Sequence, residues 1–250
     1  MDGVLFRMDD PLPFASETIL RLKNRGDAVW YLTNNSSKSR ADYVEKLSRF
    51  DIEAEESCVM TSAYATSLWF RENDQVGATV FVVGESGLER ELAAGGMKLV
   101  DAGAENCDYV VSGWDRKFSY SKMATAYRFI SEGAKFIATN RDITYPDAGG
   151  KNLPGSGAIV ASIAACTGVE PVTIGKPETF SLEIILRRAG FSAKQTIVVG
   201  DRLDTDIAIG NRAGATSVLV LTGISSRSEA EQAHGELKPD IIIETLNELI

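Results

Sequence analysis

Histidine is almost missing from this chain: there is one, His234, in 250 residues. Serine–histidine and cysteine–histidine mechanisms need a histidine base, and His234 sits in the polar stretch "EQAHGELKP" with no nucleophile-elbow motif beside it. It reads as a solvated loop residue, so catalysis here must run through carboxylates, lysine or a metal. Cysteine is also scarce. Cys58, Cys107 and Cys166 are odd in number, far apart, and free of CxxC spacing or companion histidines, which argues against a disulfide framework and a zinc site and leaves them as expected small core residues. Basic charge is in deficit, 26 Lys and Arg against 35 Asp and Glu for a net −9. A nucleic-acid surface needs clustered cations to neutralise phosphates, so a small molecule is the expected partner. No apolar run approaches the roughly 20 residues that span a bilayer, and no signal peptide opens the chain. The expectation is a cytoplasmic protein without membrane contact. No GxGxxG or GxxxxGK[ST] motif follows any strand, which speaks against an α/β nucleotide-binding protein.

What is present is an ordinary globular composition, 44% hydrophobic and 24% charged, in a length that suits one large domain or two smaller ones. Apolar, β-rich runs alternate with helical periods. The helical "SETILRLKNRG", with Gly26 suited to a helix C′ position, leads into "AVWYLT". "SCVMTS", "ATVFVVG", "DYVVSG", "AKFIAT", "VTIG", "QTIVVG" and "TSVLVL" have the same look of buried strands. Buried strands separated by helices predict a parallel sheet with helices on both faces. Ligands of such sheets bind beyond the carboxyl ends of the strands.

Three strand ends carry unusual residues. "GDRLDTDIAIGNRAGA" places Asp201 directly after a strand and Asp204, Thr205 and Asp206 at the start of a helix that stops at Gly214. Helix capping accounts for one acid or two. It does not account for Asp201, whose carboxylate after a glycine can reach a hard cation such as Mg²⁺. "YLTNNSS" offers the Thr33 hydroxyl, the Asn34 amide and backbone N–H groups to phosphate oxygens, although such clusters also make turns. In "TIGKPETF", Lys176 follows a strand and could neutralise a phosphate or carboxylate, while Pro177 suits a helix first turn.

In chain order, "MDGVLF", "LTNNSSKSR", "IGKP" and "GDRLDTD" resemble the four motifs of the haloacid dehalogenase-like phosphatase superfamily. More narrowly they resemble its NagD-like subfamily IIA, which includes 4-nitrophenylphosphatase and phosphoglycolate phosphatase relatives. The resemblance covers essentially the whole chain. It implies an α/β fold: a Rossmann-like core with a parallel sheet, here residues 1–77 and 172–250, and an inserted α/β cap domain of the C2 type at 78–171. It also implies Mg²⁺-dependent hydrolysis of a small phosphorylated metabolite through an aspartyl-phosphate, and allows a homodimer through the cap. Carried onto this sequence, Asp2 is the acid that protonates the leaving oxygen and later activates water, with its backbone carbonyl on the metal. Thr33 and Asn34 hold phosphate, Lys176 balances charge, Asp201 is a direct metal ligand and Asp206 an outer acid. In "KFIATNRDITYPDAGGKNLPGSG", a strand end followed by a Gly/Pro-rich loop, Asn140 and Asp142 are expected to set substrate specificity, with an Asx turn as the alternative.

The sequence departs from the family pattern at its first motif. The motif reads Asp-x-Asp-Gly after an apolar strand, and its first Asp attacks phosphorus; Met1 stands at the x. The nucleophile is therefore expected just before Met1, with in-frame codons for a short apolar run ending in Asp. The alternative is a truncated, inactive relative that binds phosphorylated ligands. Met8 and Phe14 stand where relatives commonly carry glycine, so a different loop into the first helix is expected.

Overall fold

A computed structural model describes residues 1–146 and 152–250, and the chain forms two compact units. The first comprises Met1–Thr33, Tyr43–Met60 and Lys176–Ile250; the second comprises Asn34–Asp42 and Thr61–Gly175.

The first unit opens with a short antiparallel hairpin, Phe6–Arg7 with Asp10–Pro11. Met8 at its turn has φ 55°, and Phe14, just before the Ala15–Arg25 helix, has φ 65°. Both occupy the left-handed region that favours glycine. The loop expected to differ therefore keeps a glycine-like backbone and places larger side chains on it. The helix ends, as its sequence predicts, at Gly26 with φ 93°. Strands Ile197–Gly200, Thr216–Val220 and Ile241–Ile243 form a parallel sheet, and Tyr31–Thr33 pairs with Val59–Thr61. Their core includes Leu5, Phe6, Leu47, Ile52, Val218 and Val220. Among the described residues, Tyr31–Thr33 and Ile197–Gly200 each have a strand neighbour on one side only. Both line an apolar groove of about 420 Å³ that runs to Met1.

The second unit is built on five parallel strands in the order Val172–Thr173, Lys135–Ala138, Tyr109–Ser112, Thr79–Val83, Lys98–Val100. Helices Tyr120–Ser131 and Ser156–Thr167 bury Phe129 and Ile163 against Phe81, Val110 and Phe136. Its bounds differ from the expected 78–171 at both ends. The Ser62–Glu72 helix packs on the Ser86–Ala94 helix, and Val172–Thr173 pairs with Lys135–Ala138, so hydrogen bonding and packing draw both segments into this unit. Residues 34–42 join it because the Arg40 backbone and guanidinium both bond the buried Glu91 carboxylate. The strands Lys98–Val100 and Ile241–Ile243 are short and were not evident from sequence pattern. Among the described residues no helix is long and apolar enough to cross a membrane.

Cysteine needs a correction: Cys58 and Cys107 are only half-buried and Cys166 is exposed. The larger apolar side chains fill both cores and leave the thiols at the margins, where Cys107 Sγ donates to the Tyr109 carbonyl. His234 is exposed, as expected.

Candidate active site

Glycine 200 ends a strand, and the next seven residues turn the chain back on itself. Leu203–Ile207 form one π-helical turn that runs into the Ala208–Ala213 helix; π-turns of this kind recur at functional sites because they re-aim side chains. The expected α-helical start is therefore displaced to Ala208. This geometry separates the three acids. Asp204 turns to the surface and pairs with Arg202. Asp206 turns inward, where its Oδ1 accepts from Lys176 Nζ at 2.5 Å and its Oδ2 lies 3.3 Å from the amides of Asp201 and Arg202. Those two amides precede it in the chain, so Asp206 stabilises the turn entrance and does not cap the helix that follows. Lys176 lies in a loop after Gly175, and the helix beyond it begins only at Phe180, so Pro177 is outside the first turn.

The Lys176–Asp206 pair is buried, with side-chain exposures of 8% and 10%. Lys176 holds the Asp206 carboxyl below its usual range against the opposing effect of burial. Asp201 shows the reverse. Burial, reinforced by the charge of Asp206, pushes its carboxyl up to about 6. Asp2 is also raised, mainly by burial, although Lys46 pulls the other way. The Met1 nitrogen itself lies buried in the field of Lys176, Asp206, Asp201 and Asp2. Asp2, Lys176, Asp201 and Asp206 thus form one electrostatic cluster at the strand ends of the first unit.

Thr33 is buried at the last position of the Tyr31–Thr33 strand. Asn34 follows it and belongs to the second unit, where its Nδ2 donates to Asp142 Oδ1 at 2.8 Å and its carbonyl accepts from Ser62 and Asn140. Asn140 is buried, and its Oδ1 accepts from the Asp142 amide at 3.1 Å, an Asx turn. The turn alternative thus has direct geometry behind it, and Asp142 reaches Asn34 from that turn. The Gly/Pro-rich loop expected next to this turn falls partly on residues 147–151, outside the described residues.

Three glycines border these carboxylates: Gly3 and Gly200 lie inside the quoted motifs, and Gly223 lies outside them. A Cβ on Gly200 would lie 2.0 Å from the Asp206 Cβ, and one on Gly3 or Gly223 would lie 2.3 or 2.1 Å from Asp201 Oδ2. They are glycines because the two carboxylates occupy the space a side chain would need. The legible signal was a glycine beside or after each strand end that carries an acid.

Among the described residues no three or more histidine, cysteine, aspartate or glutamate side chains are grouped to hold a metal. Lys176 engages Asp206 Oδ1, which leaves Asp201 and Asp2 as the candidate oxygen donors. These fit a hard cation nonetheless. Asp201 Oδ2 accepts from the Ile224 amide at 2.9 Å, its Oδ1 accepts no hydrogen bond among the described residues, and its raised pKa marks a desolvated carboxylate short of positive charge. All-oxygen donors of this kind suit Mg²⁺.

A parallel sheet with acids, a threonine and a lysine at its strand ends defines the class, and comparison with known proteins agrees. Residues 1–98 match the haloacid dehalogenase-like hydrolase family and residues 173–249 a second family model of HAD-hydrolase-like proteins. The chain is 37% identical over 250 residues to the 5′-nucleotidase YutF of Bacillus subtilis, covering all of this chain and 95% of that protein. It is likewise 37% identical to the acid sugar phosphatase of Staphylococcus saprophyticus, covering 100% and 94%. The glycerol phosphate phosphatase of Mycobacterium tuberculosis, solved in complex with magnesium, superposes with a TM-score of 0.92 at 33% identity, covering 100% of this chain and 74% of that one. The chain belongs to the haloacid dehalogenase-like hydrolases, in the NagD-like subfamily IIA, with the Rossmann-like core and inserted α/β cap of that group, and is a phosphoric monoester hydrolase.

Proposed function

We propose that the protein hydrolyses small phosphomonoesters with Mg²⁺ through an aspartyl-phosphate, and that the attacking carboxylate belongs to a residue joined to the Met1 nitrogen. The observation that carries this reading is the buried cluster of Asp2, Lys176, Asp201 and Asp206, an arrangement of opposed charges with an unengaged carboxylate oxygen at the end of a parallel sheet. A residue attached at Met1 would enter that field, and an apolar strand leading to it matches the groove between Tyr31–Thr33 and Ile197–Gly200. Lys176 offsets charge on the phosphoryl group, while the Thr33 hydroxyl and the Asn34 backbone N–H hold its oxygens. Asp2, its carboxyl raised by burial, is the acid that delivers a proton to the leaving oxygen. Asp201 and the Asp2 carbonyl would hold a Mg²⁺, which would supply the remaining neutralisation that lets a carboxylate approach a phosphate dianion. Three relatives share the phosphomonoester bond and differ in the alcohol, a nucleoside, a sugar or glycerol, so the reading extends to the phosphate ester and leaves the alcohol to the assay. The same reading makes the enzyme a cytoplasmic one, since phosphorylated metabolites of this kind are cytoplasmic.

The test is phosphate release from p-nitrophenyl phosphate and from nucleoside, sugar and glycerol monophosphates. It compares the 250-residue chain with one extended by an apolar run ending in Asp. The extended protein should turn over with Mg²⁺, stop with EDTA, and lose at least a hundredfold in rate on Asp2→Asn. Turnover that survives EDTA and Asp201→Asn, or none from the extended chain, overturns the reading. Ligand binding without turnover in the extended chain favours the inactive relative.

A further inference from the structure

The loop after the Thr216–Val220 strand closes over Asp201 from three directions. The Ile224 amide donates to Asp201 Oδ2 at 2.9 Å and the Ser225 amide to the Asp201 carbonyl at 2.9 Å. Ser225 Oγ accepts from the Leu203 amide at 3.2 Å, tying the loop to the π-turn. On the other side, the Thr222 hydroxyl donates to the Gly3 carbonyl at 2.6 Å and the Arg7 guanidinium to the Thr222 carbonyl at 2.7 Å. The carboxylate is held between Gly3 and Gly223. A Cβ on Gly223 would meet Asp201 Oδ2 at 2.1 Å and Asp201 Cβ at 2.3 Å, and one on Gly3 would meet Oδ2 at 2.3 Å. Gly3 has φ +71° and so needs glycine for its backbone as well. Gly223 has no such backbone requirement, so only the nearness of Asp201 excludes a side chain there.

We propose that Gly223 and the Ile224 amide are positioning groups that engage Oδ2 of Asp201 and leave Oδ1 as the single oxygen offered to a cation. The proposal rests on the reading that Asp201 is a metal ligand, and adds how it binds. A one-oxygen carboxylate favours six-coordinate Mg²⁺. Ca²⁺ takes six to eight ligands, often with both oxygens of a carboxylate, and is correspondingly disfavoured. Groups behind the ligands commonly set affinity in this way, by about ten- to a hundredfold.

Calorimetric titration with Mg²⁺ and with Ca²⁺ tests this without turnover, on the chain extended by an apolar run ending in Asp and on its variants. Gly223→Ala should weaken Mg²⁺ binding at least tenfold, because the methyl displaces the carboxylate. Ile224→Pro, which removes the donor to Oδ2, should lower the ratio of Mg²⁺ to Ca²⁺ affinity at least threefold. A role confined to loop stability would move neither the ratio nor the ligand mode. If both variants fail to fold, infrared difference spectra of the unmutated protein decide, with the Asp201 bands assigned by their loss in Asp201→Asn. A carboxylate bound through one oxygen with Mg²⁺ supports the proposal. Two-oxygen binding with Mg²⁺, or wild-type Mg²⁺ affinity in folded Gly223→Ala, overturns it and leaves the metal reading standing. No cation binding by the unmutated extended chain would instead overturn the assignment of Asp201 as a ligand, and the proposal with it.

Discussion

Replacing Lys176 by methionine removes one half of a buried ion pair while keeping the volume of the side chain. Asp206 then retains two amide contacts of 3.3 Å on Oδ2 and loses the 2.5 Å bond on Oδ1, and the neighbouring Asp201 charge goes unopposed. Breaking a buried pair from one side typically costs about 3–5 kcal/mol, because the remaining charge is left uncompensated. The protein has one escape, which is to protonate Asp206. From the ordinary value of 3.8, that proton costs about 4 kcal/mol at pH 7 and about 2 at pH 5, at roughly 1.4 kcal/mol per pH unit. The loss in Lys176→Met should therefore be about 3–4 kcal/mol at pH 7 and should shrink to about 2 by pH 5. Asp206→Asn in the same chain should recover most of it, since a neutral amide needs no counter-charge. Urea unfolding isolates the effect if Trp30, in the first unit, is the reporter and Trp69 and Trp114, in the second, are replaced by Phe. A loss under about 1 kcal/mol at pH 7, or one that does not change between pH 7 and pH 5, would show that Lys176 does not hold Asp206 in the way the geometry says.

Asp201 supplies a pH test with the opposite sign. Its carboxyl is raised from 3.8 to about 6, so the folded state binds the extra proton, and its ionisation should cost about 3 kcal/mol of stability as pH rises from 4 through 6; Asp201→Asn should remove that slope and added Mg²⁺ should offset it, both read from thermal melts. Phe14 has φ 65° and is 45% exposed, so Phe14→Gly should stabilise by about 0.5–1 kcal/mol, left-handed strain of roughly 1–2 kcal/mol outweighing the entropy of glycine; a loss of stability would locate Phe14's value in packing. Asp142→Ala should release Asn34 Nδ2 from its 2.8 Å partner and shift relative rates among phosphomonoesters more than the unfolding midpoint, whereas an unchanged substrate profile with a lower midpoint would assign the pair to the Asx turn alone.

The parallel sheets were legible because buried strands leave continuous apolar runs, and the eight runs read from the sequence contain eight of the observed strands. Lys98–Val100 and Ile241–Ile243 were not, because each is three residues long, the first is largely exposed and the second buries only Ile243 fully. The acids of the site were legible as an excess over what capping needs. Their separation was not. A π-turn has no sequence signature in "LDTDI", and only the register of that turn sends Asp206 inward to Lys176 and Asp204 outward to Arg202. Asn34 was read with Thr33 as one phosphate loop, yet the two belong to different units. Adjacency in sequence could not reveal this, because the side-chain partner of Asn34, Asp142, lies 108 residues away.

Opposite pKa shifts at Asp201 and Asp206 follow from one arrangement. Both acids are desolvated, which alone would raise both. Lys176 sits on Asp206 and lowers it; Asp206, thereby kept charged, raises Asp201. The lysine thus acts on Asp201 in two ways, directly by attraction and indirectly by keeping a repelling anion beside it, and the raised value shows that burial and repulsion prevail. A cation at Asp201 Oδ1 would be attracted by both carboxylates, and the repulsion from Lys176 is offset by its pairing with Asp206 at 2.5 Å. Asp206 therefore contributes to metal affinity without being a ligand. Its replacement by Asn should weaken Mg²⁺ binding while leaving the inner coordination unchanged, and a metal affinity indifferent to that change would mean the two carboxylates are screened from each other despite their burial.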